Sequence, residues 1–218
     1  MSYKSEFIKF MADCNVLTFG DFTTKSGRKT PYFINTGKYS MGDQISRLGE
    51  FYADCIMENV AVTENTVLFG PAYKGIPLAV AVAIALAKRG KNVSYCFNRK
   101  EAKDHGEGGT LVGHQLKAGD RVLIIEDVIT AGTAVREVLP MLKSAGAGIE
   151  GLIISADRME KGQGDKTAIQ EIWEEFGIRT YPIVNVQDIF ASSEIDGDIK
   201  ARLEGYMKQY CVAQEGSK

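Results

Sequence analysis

The chain has 218 residues, of which 44% are hydrophobic and 25% are charged, values typical of a globular protein with one core. Its formal net charge of −2 argues against a nucleic-acid partner, because nucleic-acid binding normally requires a basic surface. The longest apolar run, from Pro77 to Ala87, is too short to span a bilayer. The N-terminus lacks the apolar block of a secretory signal peptide, and we therefore expect no membrane attachment.

The cysteines favour a reducing compartment. They are widely spaced, form no CxxC pair and have no histidine nearby; they are Cys14, Cys55, Cys96 and Cys211. Such spacing favours reduced, packed thiols over disulfides or metal ligands. We therefore expect a cytoplasmic protein.

The predicted elements fall into three parts along the chain. Residues 1–40 fit poorly the alternation of strands and helices that follows, and we expect a small N-terminal segment packed on the core. Residues 41–212 form the predicted core domain. Residues 213–218 are a polar tail that we expect to be frayed.

Within the core domain, helical and strand patterns alternate. Apolar residues spaced three and four apart predict helices from Ile45 to Ile56 and from Ile76 to Lys88. Strand-like runs occupy 67–69, 93–97, 121–125, 151–155 and 180–184. This alternation predicts an α/β fold with a mostly parallel central sheet flanked by helices, and ligands at the carboxyl ends of the strands. Pro140 interrupts a later helical pattern, where we expect a kink or an early helix end.

The most informative segment runs from Val122 to Ala134. Its first four residues are branched and apolar, which predicts a strand buried on both faces, and Glu126 and Asp127 follow directly. A small polar loop, 130–133, then leads into a helical pattern. Backbone N–H groups at a helix start suit a phosphate, while two carboxylates can accept hydrogen bonds from sugar hydroxyls. The segment therefore predicts a phosphosugar site, with a solvated acidic turn as the alternative.

Two other segments have the composition of ligand-binding loops. Tyr73-Lys74-Gly75 follows a predicted strand and forms either an anion site or a simple turn. Residues 99–109 combine glycines with cations, as a lid over a polyanionic substrate does, although a solvated charged hairpin has the same composition. The cations of this segment are Arg99, Lys100, Lys103 and His105. The other histidine, His114, is expected in a connecting turn without a role.

Four separated motifs resemble those of the type I phosphoribosyltransferases, and of the orotate phosphoribosyltransferases among them. The motifs are Lys25 to Arg28 with Pro31-Tyr-Phe33, Gly70 to Pro77, Tyr95 to Gly109 and Val122 to Ala134. The resemblance implies transfer of the phosphoribosyl group from 5-phosphoribosyl 1-diphosphate to orotate in de novo pyrimidine (UMP) biosynthesis, giving orotidine 5′-phosphate and diphosphate. The alternatives are a phosphoribosyltransferase for another base, or a non-catalytic regulator that kept this fold and senses a nucleotide.

The resemblance also implies a role for each motif residue. The expected catalytic residues are Asp127, Lys103, His105 and Glu126. Phosphoribosyl diphosphate is expected to contact these four together with Lys25, Tyr73, Lys74, Arg99, Lys100, Val128, Ile129, Thr130, Ala131, Gly132, Thr133 and Ala134. Orotate is expected to contact Phe33, Ile34, Thr130 and Arg158, the last through its carboxylate. Arg28 is given a structural role.

A metal and a second subunit follow from the same resemblance. Diphosphate is polyanionic, and Mg²⁺ prefers phosphate and water oxygens, so we expect Mg²⁺ to be held mainly by the substrate and assign it no direct protein ligand. The family implies a homodimer in which loop 99–109 completes the neighbouring site. It also implies that residues 1–40 form a hood over the base.

Overall fold

A computed structural model describes residues 2–24, 27–103, 109–129, 132–162 and 164–212, and the side chains of 102, 103 and 109 lie outside that description. The helices are α1 (Tyr3–Asp13), α2 (Gly42–Asn59), α3 (Gly75–Lys88), α4 (Thr133–Ser144), α5 (Ala168–Phe176), α6 (Val186–Ala191) and α7 (Gly197–Tyr210), with a 3₁₀ turn at Thr36–Lys38. The strands are β1 (Leu17–Thr23), β2 (Lys29–Ile34), β3 (Thr66–Gly70), β4 (Ser94–Lys103), β5 (Gly109–Gly113), β6 (Arg121–Ile125), β7 (Gly148–Asp157) and β8 (Thr180–Asn185). Across these ranges, none of the helices has both the length and the apolar character needed to cross a membrane.

The central sheet has six strands in the order β5-β4-β3-β6-β7-β8, and β1 pairs with β2 in a separate antiparallel hairpin. All neighbours in the large sheet are parallel except β4 and β5. The chain runs outward from β3 to β4 and later returns to place β6 on the other side of β3. Ligands of open α/β sheets bind where the strand order reverses in this way, so the loops after β3 and β6 frame the expected site.

The predicted α/β fold with its mostly parallel sheet is confirmed. Each of the five strand-like runs lies on a strand of the large sheet, and both predicted helices are present as α2 and α3. The early helix end at Pro140 was wrong, because α4 continues to Ser144. Its buried face, which includes Val138 and Leu142 on either side of the proline, offsets the hydrogen bond that proline cannot make.

The sheet separates two apolar cores. Alternate residues of β6 point to opposite sides, so that Leu123 belongs to one cluster and Ile124 to the other. The larger cluster includes α1, whose Phe7 packs on Phe51 of α2 with ring centroids 5.0 Å apart. Residues 1–40 therefore share a core with residues 41–212, and β2 also contacts α7. The domain boundary near residue 40 stays a prediction.

Candidate active site

Glu126 and Asp127 follow β6 directly and are buried, with 8% and 7% of their surface exposed. Their backbone is held from two sides. Tyr52 of α2 donates a 2.7 Å hydrogen bond to the carbonyl oxygen of Glu126. Ser155 of β7 donates to the carbonyl oxygen of Asp127 through its hydroxyl, at 2.6 Å, and through its amide, at 2.9 Å. The two carboxyl groups are thus fixed in position at the end of the sheet.

The carboxylate of Asp127 joins three separate segments. Its Oδ2 accepts hydrogen bonds from the Thr36 hydroxyl at 2.6 Å and from Lys74 Nζ at 2.8 Å, and its Oδ1 accepts one from the Val128 amide at 2.7 Å. Lys74 Nζ also lies 3.4 Å from Thr36 Oγ1. Burial raises the pKa of Asp127, but the hydrogen bonds from Lys74 and Thr36 outweigh it and leave the pKa below its ordinary value. Asp127 is therefore ionised at neutral pH.

The pKa of Glu126 is shifted in the opposite direction from that of Asp127. Burial, reinforced by the charge of Asp127, raises the pKa of Glu126 to about 7. Its Oε1 accepts only a short-range bond from the Asp127 amide, at 3.0 Å, and no cation like Lys74 is bonded to it among the described residues. The pair therefore holds one permanent negative charge and one carboxyl group that changes protonation near neutral pH.

The loop after β3 is packed too closely for side chains at its glycines. A Cβ on Gly70 would lie 2.2 Å from the carbonyl oxygen of Gly75, and a Cβ on Gly75 would lie 2.9 Å from that of Ile125. The Ala72 amide donates a 2.8 Å hydrogen bond to Asn98 Oδ1 on β4, and the Ala72–Tyr73 peptide bond is cis. This packing holds the loop against the end of β6 and brings Lys74 to Asp127, while Tyr73 is exposed.

The loop after β6 ends at the start of α4. Gly132 is the N-cap in the left-handed region, with φ of 68°, a conformation that favours glycine. Thr133 and Ala134 follow in the first turn of the helix, whose unpaired amides attract an anion. Val128 forms a bridge with Ala156 of β7. The helix start and the acid pair therefore lie on the same short loop, as a phosphosugar requires.

Arg158 follows β7 and lies beside the β1–β2 hairpin. Its guanidinium is centred 4.5 Å from the ring of Tyr32, and it pairs with Glu160 at 2.6 Å. Phe33 points to the other face of the hairpin, where it stacks on Phe22 at 5.6 Å. Of these two hairpin residues, Tyr32 therefore places its ring next to Arg158, whereas the ring of Phe33 lies on the opposite face.

A cavity of about 160 Å³ lies beside the acid pair. Its polar wall contains Thr36, Lys74, Asp127 and Ser155, and its apolar wall comes from α2, α3 and the 3₁₀ turn. The cavity thus adjoins the three segments that meet at Asp127, and it connects the N-terminal segment to the end of the central sheet.

The structure brings only part of the predicted set together. Lys74, Glu126, Asp127 and Val128 share one cluster, whereas Lys100 pairs with Glu137 of α4 at 3.2 Å. Arg99 lies on β4, Ile34 ends β2, and Ile129 is half-buried. The remaining predictions fall outside the described residues or side chains: Lys25, Lys103, His105, Thr130 and Ala131. His114 forms a 2.8 Å contact with Asp120 at the other end of β6, in agreement with a turn residue outside the site.

Sequence reasoning missed several residues that hold the site together. They are Thr36, Tyr52, Asn98, Ser155 and Glu160, and each bonds a predicted site residue or its loop. Apart from Glu160, each partner is distant in sequence, so no local pattern could indicate the contact. The one available signal was position, since Thr36 follows closely after the Pro31-Tyr-Phe33 motif.

Comparison with known proteins agrees with this geometry. The model of the phosphoribosyl transferase domain matches residues 41–182. Orotate phosphoribosyltransferases of Clostridium beijerinckii and Clostridium acetobutylicum are 54% and 52% identical to the chain, each alignment covering 96% of this chain and 98% of the relative. The solved orotate phosphoribosyltransferase of Francisella tularensis is 38% identical, with a TM-score of 0.85 and coverage of 95% of this chain and 100% of that one. These matches show that the chain belongs to the orotate phosphoribosyltransferases, within the phosphoribosyl transferase domain family.

Proposed function

We propose that the chain performs its reaction, the transfer of a phosphoribosyl group from 5-phosphoribosyl 1-diphosphate to orotate, at the carboxyl ends of β3, β6 and β7. The observation that carries the proposal is the buried cluster of Thr36, Lys74 and Asp127 beside the start of α4. A phosphosugar matches this arrangement, because its phosphate suits the helix start and its hydroxyls suit the two carboxyl groups.

In this proposal Glu126 and Asp127 accept hydrogen bonds from the 2′- and 3′-hydroxyls of the ribose. The sugar gains positive charge as its bond to diphosphate breaks, and a fixed carboxylate stabilises such a charge without reorganising. The surroundings of Asp127 support this role, because Lys74 and Thr36 keep its carboxylate ionised in a buried position. The loop from Val128 to Ala134 supplies the amides for the 5′-phosphate.

The departing diphosphate needs cations. Lys74 is 63% exposed in its side chain although it pairs with Asp127, so it can turn toward a polyanion without leaving a buried site. We propose that Lys103 and His105 reach the same diphosphate from a neighbouring subunit of a homodimer, with Arg99 and Lys100 at the base of the loop. The supporting observation is that β4 carries Arg99 and Lys100 and ends at Lys103, at the edge of the loop.

Magnesium is part of the proposal and is held mainly by the substrate. Among the described residues, no group of three histidine, cysteine or acidic side chains is arranged to hold a metal ion. In the proposal a Mg²⁺ ion takes its oxygens mainly from diphosphate and water, and it supplies charge neutralisation for the leaving group when bound. Glu126 and Asp127 remain free to serve the sugar.

The base is proposed to lie between the β1–β2 hairpin and Arg158, whose guanidinium can match the carboxylate of orotate. The main-chain groups of Phe33 and Ile34 are proposed to read the edge of the base, and Lys25 is proposed to lie near the sugar-phosphate. We also propose a cytoplasmic location, which the four free cysteines support.

The direct test is the absorbance change as orotate and phosphoribosyl diphosphate are consumed. Asp127→Asn keeps the shape and removes the charge, so turnover should fall by roughly a hundredfold to a thousandfold. Asp120→Asn is the matched control, because Asp120 is equally buried but lies at the other end of β6; it should lose thermal stability and keep its turnover per folded molecule. Wild-type turnover in Asp127→Asn would contradict the proposal.

A further inference from the structure

Arg158 belongs to a charged cluster whose centre is Glu160. Glu160 Oε1 accepts hydrogen bonds from Arg158 Nε at 2.6 Å and from the Tyr206 hydroxyl at 2.5 Å, and it lies 2.6 Å from Arg158 Nη2. Glu160 Oε2 accepts a 3.2 Å hydrogen bond from Arg28 Nη1. We call Arg28, Arg158, Glu160 and Tyr206 the Glu160 cluster. Its one carboxylate thus binds two guanidinium groups and a phenol.

The contacts divide the guanidinium of Arg158 into two edges. The Nε–Nη2 edge is occupied by Glu160. In the described part of the chain Nη1 donates no hydrogen bond, and Nη2, apart from its contact with Glu160, makes only long contacts of 3.5 Å with Thr30 and Tyr206. The Nη1–Nη2 edge is consequently available to a planar carboxylate, which guanidinium binds through two parallel bonds.

Stacking fixes the same two arginines from the side. Arg158 lies over Tyr32 of β2 at 4.5 Å, and Arg28 lies over Tyr210 of α7 at 4.7 Å, distances at which a cation is attracted to the ring face. Helix α7 also anchors the chain segment that carries Glu160, because the Lys161 amide donates to the carbonyl oxygen of Tyr210 at 2.9 Å. Glu160 therefore fixes the orientation of the Arg158 guanidinium within its own plane, and Tyr32 fixes the tilt of that plane.

The cluster carries more positive than negative charge. Two guanidinium groups face one carboxylate, and their side chains are only 16% to 22% exposed. Burial raises the pKa of the neighbouring Asp157, which disfavours a second negative charge beside the cluster. A half-buried cluster with one uncompensated positive charge favours an anionic ligand.

We propose that Glu160, assisted by Tyr206 of α7, is a positioning residue for base recognition, because it occupies one edge of Arg158 and directs the other edge to the carboxylate of the base. The inference rests on the proposed role of Arg158. It makes the C-terminal helix part of the base-recognition apparatus, although α7 lies outside the four motifs.

The test is calorimetric titration of orotate and, separately, of phosphoribosyl diphosphate into folded variants. Glu160→Gln should raise the Kd for orotate by roughly tenfold to a hundredfold, as loss of a hydrogen bond to a charged group does, and should change the Kd for phosphoribosyl diphosphate by less than about twofold. Tighter orotate binding would overturn the inference, because it would mean that Glu160 only screens the positive charge. Unchanged orotate binding would overturn it as well.

Two further variants separate positioning from charge. Glu160→Asp keeps the charge but shortens the side chain, so it should fail to restore orotate binding; full restoration would overturn the inference. Tyr206→Phe removes one hydroxyl, and it should weaken orotate binding by roughly threefold to tenfold. It also keeps the inference testable if Glu160→Gln does not fold. The matched control is Glu150→Gln, whose partner Arg121 lies at the amino end of β6; it should bind both substrates normally.

Arg158→Ala distinguishes this inference from the proposed function. If Arg158→Ala weakens orotate binding and neither Glu160→Gln nor Tyr206→Phe does, the inference alone fails. If Arg158→Ala leaves orotate binding unchanged, the proposed role of Arg158 fails and the inference fails with it. Weakening by Arg158→Ala and Glu160→Gln, with normal phosphoribosyl diphosphate binding in both, supports the two together.

Discussion

The Thr36 hydroxyl donates a 2.6 Å hydrogen bond to Oδ2 of Asp127 across 91 positions of sequence. This bond connects the N-terminal segment to the acid pair at the end of β6. Because Lys74 Nζ contacts the same two oxygens, at 2.8 Å and 3.4 Å, the three residues act as one unit. The orientation and the ionisation of Asp127 therefore depend on a residue that lies outside the core domain predicted from sequence.

We expect Thr36→Val to reduce kcat/KM for phosphoribosyl diphosphate by about tenfold, since a hydrogen bond to a charged group contributes about 1.5 kcal/mol or more. Valine keeps the shape of threonine and removes the donor, so the pKa of Asp127 should rise toward its ordinary value. Steady-state kinetics at several pH values measures both effects.

The control is Thr180→Val, at the start of β8. The Thr180 hydroxyl is buried without a hydrogen-bond partner within the described residues, so its loss should leave activity unchanged and stability equal or higher. A Thr36→Val enzyme as active as the Thr180→Val enzyme would mean that Lys74 and the Val128 amide hold Asp127 without Thr36.

Stability should depend on pH through Glu126. Its pKa is raised to about 7 in the folded protein, so the folded state holds a proton that the unfolded chain releases near its ordinary pKa of about 4.3. The contribution of this proton to the free energy of unfolding is fully present below that ordinary pKa. It declines as pH rises and is lost once pH exceeds about 7. Glu126→Gln should therefore become progressively more stable than wild type from pH ~4.5 to pH ~7, by up to a few kcal/mol.

Chemical denaturation of both proteins at half-unit pH steps measures this difference. Glu174→Gln provides the control, because its carboxylate is half-exposed on α5 and, among the described residues, pairs with Lys166 alone. A constant difference between Glu126→Gln and wild type over the whole pH range would rule out a proton on Glu126 near neutrality.

The proposed homodimer predicts complementation between two inactive variants. Lys103→Ala lacks the cation that we propose acts in the neighbouring subunit, and Asp127→Asn lacks the acid within its own site. Mixed dimers should hold one site with both lesions and one with neither, so about a quarter of all sites should be intact after random exchange of equal amounts. Turnover should recover to about that fraction of wild type.

Native mass spectrometry should verify that mixed dimers form before activity is measured. Recovery from Asp127→Asn mixed with Glu126→Gln is not expected, because both lesions belong to the same half of the site. Mixed Lys103→Ala and Asp127→Asn dimers that stay inactive would show that each site is built from one chain.

Removing divalent metal should stop turnover without weakening the fold. No described cluster of three acidic, histidine or cysteine side chains is arranged to hold an ion, so chelation should leave the Tm of the ligand-free protein unchanged. Magnesium should raise the Tm only when phosphoribosyl diphosphate is present, because binding to the folded state stabilises it. A lower Tm in chelator without substrate would reveal a structural metal instead.

Much of this protein follows from local patterns. Branched apolar residues at 122–125 predict a buried parallel strand because nothing polar interrupts them, and Glu126-Asp127 then lies at the carboxyl end of the sheet. The strand-like run at 67–69 predicts the loop after β3 in the same way. Hairpin β1–β2 was not predicted, because its strands have no regular alternation, with Gly20 and a register shift between Phe19 and Phe22.

The tertiary structure alone decided which distant partners Asp127 and Glu160 take. The sequence determined that Lys74, Asp127 and Arg158 follow strands of one sheet, and hence share an edge. It could not determine that Asp127 bonds Thr36 or that Arg28 meets Arg158 at Glu160, because these contacts join residues 91 and 132 positions apart. Periodicity records which face a residue occupies within its own element, whereas such contacts depend on how the elements pack against each other.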